Sequence, residues 1–111
     1  MTDPVVLLDA VTGTGDGNVW HKFDRFDSSM CVIEISGTFV TIVANIKGIA
    51  YEGGEETVIF VTPLGSGTAS ADMTAVGLYR FDASGLWAVE GAVSDWTSGT
   101  DLTMKVVTRR G

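Results

Sequence analysis

The clearest pattern in the chain is an alternation of apolar and more polar residues across positions 31–49, CVIEISGTFVTIVANIKGI. Successive side chains of a β-strand point to opposite faces of a sheet, so this period of two indicates strands with one apolar face. The residues assigned to that face are Cys31, Ile33, Ile35, Val40, Ile42, Ala44 and Ile46. The opposite face also carries apolar residues, among them Met30 and Val32. We interpret the stretch as a hairpin whose two strands are joined at Gly37 and Thr38.

Further short segments of this kind follow along the chain, bounded by glycine, proline or small polar residues. The other predicted strands are residues 5–11, 19–23, 57–62, 75–82, 86–94 and 102–108. The predicted connections are residues 12–18, 24–29, 51–56, 64–72, 83–85 and 95–101. No segment of helix length shows a period of 3.6 residues. About eight short strands predict an all-β fold, a single-domain antiparallel β-sandwich that is jelly-roll-like, with an up-and-down barrel as the alternative.

The composition agrees with one folded domain over residues 1–111, with a flexible start at 1–4 and a basic tail at 109–111. Of the 111 residues, 45% are hydrophobic, which is enough for one core. Seven basic and fourteen acidic side chains give a net charge of −7, which argues against binding to nucleic acid or to an anionic membrane. The single cysteine, Cys31, excludes an intrachain disulfide. Residues 1–8 lack the basic and apolar regions of a secretory signal, so we expect synthesis in the cytoplasm.

The sequence offers little catalytic chemistry. His21 is the only histidine, and no serine stands in the context of a nucleophile elbow. A metal site built from soft ligands would need more than His21 and Cys31. The glycines of residues 12–18 have the spacing GxGxG rather than the GxGxxG of a dinucleotide loop. Asp16 and Asn18 do not complete a calcium loop, so a turn is the better interpretation.

Carboxylates are the remaining candidates for chemistry, because a glycosidase needs two that face each other. The available ones are Glu52, Glu55, Glu56 and Glu90. Glycines flank the acidic loop that holds the first three, and we interpret these charges as solvated. The sequence therefore predicts a protein that is not an enzyme, with no catalytic residue, no cofactor and no metal.

Large aromatic residues lie at or near the predicted strand ends. They are Trp20, Tyr51, Trp87 and Trp96. Such residues can fill the core, form a protein interface, or provide a platform on which a sugar ring stacks. The sequence leaves these three roles open.

Three stretches of the chain show a similarity to known proteins. The first is VVLLDAVTGTGDG, the second is ISGTFVTIVANIKG with Gly53 and Gly54 after it, and the third is AVGLYRFDASGLWAVEGAVSDWTSGTDLTMKVV. The order of G-T-F, G-L-Y-R and V-S-x-W-T-S-G-T across residues 5–108 resembles small virion proteins of tailed bacteriophages, of the capsid decoration (cement) type. The chain departs from that pattern at residues 51–55, where no tryptophan follows the paired glycines.

The resemblance implies a β-sandwich that forms an oligomer, commonly a trimer, on the capsid surface of the virion and binds the major capsid protein. Related chains also occur in tails and baseplates, so a tail or baseplate component is one alternative function. A carbohydrate-binding module that uses the tryptophans is another. We expect the N-terminal strand to add to a neighbouring subunit. The predicted interface residues are Val5, Val6, Leu7, Leu8, Trp20, Trp87 and Trp96.

Overall fold

Antiparallel strands dominate the computed structural model, which describes residues 4–23, 30–65 and 67–109. The seven strands are β1 (Val5–Val11), β2 (Gly15–Lys22), β3 (Met30–Ile49), β4 (Thr57–Ile59), β5 (Thr62–Pro63), β6 (Gly77–Asp82) and β7 (Ala88–Arg109). The prediction of an all-β antiparallel domain is confirmed, and no helix occurs in these ranges. The predicted connection over residues 24–29 lies outside the described residues. The described residues contain no helix that could serve as a membrane span.

Two long strands form the centre of the fold. β3 has 20 residues and β7 has 22, and they pair along their whole length from Met30 opposite Arg109 to Ile49 opposite Ala88. The predicted hairpin at Gly37 is therefore wrong, because β3 continues through this glycine. In the same way, residues 88–94 of one predicted strand, the predicted turn 95–101 and the predicted strand 102–108 all belong to the single strand β7.

The two long strands bend near their middle instead of reversing. Gly37 has a φ of 127°, and register shifts follow it between Thr38 and Phe39, between Phe39 and Thr41, and between Thr41 and Ile42. A register shift marks an extra residue in one strand of the pair, a β-bulge. Such a bulge bends the strand and increases its twist. The backbone N–H of Thr38 donates to Asp101 Oδ1 at 3.1 Å, which fixes the bend of β3 to β7.

The bend divides the sheet into two wings. In the first wing, residues 30–38 of β3 and 101–109 of β7 lie between β1 on one side and β6 with β5 on the other. In the second wing, residues 39–49 of β3 and 88–99 of β7 lie between β2 and β4. Hydrogen bonds join all seven strands in one sheet. The jelly-roll-like connection of two sheets stays a prediction.

The wings face each other across the core. A Cβ placed on Gly91 of the second wing would stand 2.8 Å from Met104 Sδ and 3.0 Å from Leu8 Cγ of the first wing. The principal buried side chains are Leu7, Leu8, Cys31, Ile33, Ile35, Ile42, Ala44, Ile46, Val61, Met73, Tyr79, Phe81, Val89, Val93, Leu102, Met104 and Val106. Each large one stabilises the fold by about 1.5–3 kcal/mol on full burial.

The alternation in the sequence assigns the core face of β3 correctly with one exception. The alternation predicts that Val40 lies in the core, but this residue is 77% exposed. The register shifts on either side of Phe39 and Thr41 break the period of two at this point, so Val40 leaves the face that Ile42 occupies.

The smaller elements differ from prediction mainly in their bounds. β2 begins at Gly15, inside the predicted turn 12–18. The predicted strand 57–62 is interrupted, since β4 ends at Ile59 and the two residues of β5 begin at Thr62. The turn at residues 83–85 is confirmed by the N–H of Leu86, which donates to Ala83 O at 3.0 Å. Short edge strands such as β4 and β5 limit unwanted sheet pairing.

Candidate functional site: an apolar sheet face and a tryptophan groove

The first wing turns a face of exposed apolar and charged residues to the solvent. The strand register places Val6, Lys105, Glu34 and Leu78 side by side in one row. A second row holds Val107, Val32 and Arg80. These positions alternate with core residues, so their side chains lie on the outside of the wing. We call this surface the outer face; its residues are Val6, Met30, Val32, Glu34, Leu78, Arg80, Asp82, Lys105 and Val107.

The outer face contains a shallow groove of about 290 Å³. Pro4, Val32, Glu34, Leu78, Lys105 and Val107 line it. Val6 is 37% exposed, Met30 41% and Leu78 46%. In the part of the chain that the structure describes, no element covers this groove.

Only some of the N-terminal interface residues are available for contacts. Leu7 is 1% exposed and Leu8 is 2% exposed, so both pack in the core of their own chain, and an interface role for them stays a prediction. The register shift between Val6 and Leu8 lets both consecutive leucines enter the core of their own chain. Val5 is half-buried against that core, whereas Val6 belongs to the outer face. β1 pairs with β7 of the same chain.

The second wing carries a different surface, a groove of about 330 Å³. We call it the tryptophan groove; Trp20, Lys22, Ile49, Glu52, Gly53, Gly54, Glu56 and Trp87 line it. Lys22 Nζ lies 5.3 Å from the centroid of the Trp87 ring, which is a cation–π distance. The structure thus brings together two of the predicted tryptophans. The third, Trp96, packs against the core beside the bend.

The backbone holds Trp87 in place at the base of this groove. Its N–H donates to Ile49 O at 2.7 Å, and its carbonyl accepts from the N–H of Phe23 at 2.8 Å. Trp20 lies opposite Glu90, and Lys22 lies opposite Ala88. Backbone pairing with β3 and β7 therefore holds the segments that carry Trp20, Lys22 and Trp87.

Three carboxylates meet beside the tryptophan groove. Asp16, Glu56 and Glu90 each offer an oxygen, and these oxygens lie within 4.8 Å of one another. Lys47 Nζ lies 3.3 Å from Asp16 Oδ1 and balances part of this charge. Glu56 also lines the groove, so the cluster and the groove share one residue.

Glu90 is the unusual member of this cluster because it is only 3% exposed. Burial raises the pKa of Glu90 most. The negative charges of Asp16 and Glu56 and a hydrogen bond with Glu56 raise this pKa further, whereas the positive charge of Lys47 lowers it. The prediction that Glu90 is a solvated charge is therefore wrong. The carboxylates interact with one another and with Lys47, and we assign no metal to them.

His21 lies opposite Val89 of β7. Its ring meets Phe23 edge to face, with the centroids 5.0 Å apart and the planes at 80°. His21 is next in register to the pair of Trp20 and Glu90 but lies on the other face of the sheet from Glu90, since adjacent strand residues point to opposite faces.

No protein-family model matches the sequence, and no curated protein matches it. Among solved structures, the SPBc2 prophage-derived protein YomS is similar with a TM-score of 0.78 and 20% identity, over 97% of this chain and 92% of YomS. The PBSX exported protein XepA is similar with a TM-score of 0.84 and 16% identity, over 97% of this chain. The chain spans 37% of the length of XepA. At these identities the likeness shows a shared fold.

Proposed function

We propose that the protein is a structural component of a bacteriophage particle, a capsid decoration protein that binds and stabilises the head lattice. The observation that carries the proposal is the set of exposed apolar residues on the outer face of the first wing, which the described chain leaves uncovered. The fold that the chain shares with two phage-related proteins supports it. XepA is described as an exported protein; a virion location for this chain is part of the proposal.

The outer face suits contacts with another protein. Glu34 and Lys105 are register partners within it, so the face carries both signs of charge between its apolar residues. Protein interfaces commonly combine apolar side chains with hydrogen-bonding and charged groups. Burying one of its large apolar side chains fully would contribute about 1.5–3 kcal/mol.

The proposed partners are further copies of this chain, as a homotrimer, and the major capsid protein. Symmetry would repeat each modest contact around the oligomer and across the lattice. Simultaneous contacts raise the overall affinity far above that of any single one. The proposal requires no cofactor and no nucleic acid.

The experiment is to mix the purified protein with expanded capsids of the phage that encodes it. We expect the protein to sediment with the capsids and to raise their melting temperature. If saturating protein neither binds nor stabilises them, the decoration function is overturned. Isolated tails serve as a parallel sample, and binding to tails without binding to heads would instead support a tail or baseplate component.

A further inference from the structure

We infer that the tryptophan groove binds a neutral saccharide. The groove belongs to the second wing, whereas the proposed assembly surface is the outer face of the first wing. The two functions are therefore independent, and either can fail without the other.

Aromatic rings of the kind that stack on sugars converge on this groove. Trp20 and Trp87 both line it and are half-buried. Tyr51 stands at the rim: the residue is 66% exposed, and Cε1 and Cε2 of its ring would lie 3.4 Å from a Cβ on Gly54. The C–H faces of a sugar ring are apolar and pack on aromatic surfaces. The ammonium of Lys22 covers part of Trp87, which leaves Trp20 as the stacking platform.

The groove offers hydrogen-bond partners of both kinds. Lys22 is a donor of hydrogen bonds, and the carboxylates of Glu52 and Glu56 are acceptors. A hydroxyl group both donates and accepts, so a neutral polyol can use both kinds of partner at once.

The groove is also preformed and of a suitable size. Two backbone hydrogen bonds hold Trp87, and the N–H of Gly54 donates to Tyr51 O at 2.9 Å, which orders the loop on the other side. A preformed site loses less conformational entropy on binding. The volume of about 330 Å³ lies at the lower end of the range for small-molecule sites, about 300–1,000 Å³, and suits a small saccharide.

The test is isothermal titration calorimetry of the full chain against a panel of neutral mono- and oligosaccharides. We expect at least one of them to bind, and Trp20→Ala to weaken that binding by about tenfold or more. Trp96→Ala is the matched control, because Trp96 lies outside the groove, and it should bind as the wild type does. Lys22→Met tests the donor without removing an aromatic ring, and it should also weaken binding.

Circular dichroism of each variant checks that it folds. An absence of heat across the whole panel would overturn the inference, as would a loss of binding in Trp96→Ala but not in Trp20→Ala. Binding of a lysine-rich peptide with no binding of sugars would also overturn it and identify a cationic protein partner. Leu78→Asp on the outer face should leave saccharide binding unchanged, which separates this site from the assembly surface.

Discussion

Glu90 shows how the tertiary structure changes the chemistry of a single residue. Its side chain occupies an outward position on β7, yet Asp16, Glu56 and Lys47 surround it and leave it 3% exposed. A buried carboxylate without a full ionic partner favours its protonated form. As an acid, Glu90 can then donate a hydrogen bond to Glu56. The sequence does not reveal this, because Asp16 and Glu90 meet only through the pairing of β2 with β7.

This environment predicts a dependence of stability on pH. The pKa of Glu90 is raised above the ordinary value of 4.5, so the folded state holds its proton over a range where the unfolded state has lost it. The contribution of Glu90 to the free energy of unfolding is therefore complete below pH 4.5 and falls as pH rises through the folded pKa. Glu90→Gln should remove this fall and make the protein more stable than the wild type at pH 7.

Urea unfolding at pH 4.5 and pH 7 measures both effects. Glu55→Gln is the control, because Glu55 is exposed and outside the cluster, and it should keep the pH dependence of the wild type. A Glu90→Gln variant that is less stable than the wild type at pH 7 would contradict this account of the cluster.

At the scale of elements, the alternation of residues predicted the faces of the strands better than their ends. The core positions of β3 apart from Val40, and those of residues 102–106, are predicted correctly because a period of two directly reports which face is apolar. The continuity of β3 and β7 was not predictable in this way. A glycine with a small polar neighbour occurs both in turns and in bends, and only the partner strand decides between them.

The bend of β3 depends on Gly37. Its φ of 127° is unfavourable for any residue with a Cβ, and an added Cβ would stand about 3.0 Å from the Asp101 carbonyl carbon of β7. Gly37→Ala should lower the free energy of unfolding by roughly 1–3 kcal/mol. Gly13→Ala is the control, because nothing lies within 4 Å of its added Cβ, and it should change stability by less than about 0.5 kcal/mol. Equal midpoints of urea unfolding for both variants would contradict the assigned bend.

The whole molecule carries two surfaces on opposite wings. The sequence indicated Val32 as a surplus apolar residue, and it lies in the groove of the outer face. It also named Trp20 and Trp87 as candidates, but it could not show that they share a groove while Trp96 packs on the core. These proximities follow from register shifts and from the bend of the long strands, which residue patterns do not encode. We propose that the outer face serves assembly and that the tryptophan groove binds a ligand.

The central claim is that the outer face is an assembly surface, and the mass of the protein in solution tests it most directly. Light scattering of the wild type should give the mass of three chains, and Leu78→Asp should give that of one chain, because a buried carboxylate without a partner opposes association. Val40→Asp is the control, since Val40 is exposed but lies outside the outer face, and it should remain a trimer. A wild type that is monomeric at every concentration, or a Leu78→Asp variant with the same mass as the wild type, would contradict the claim.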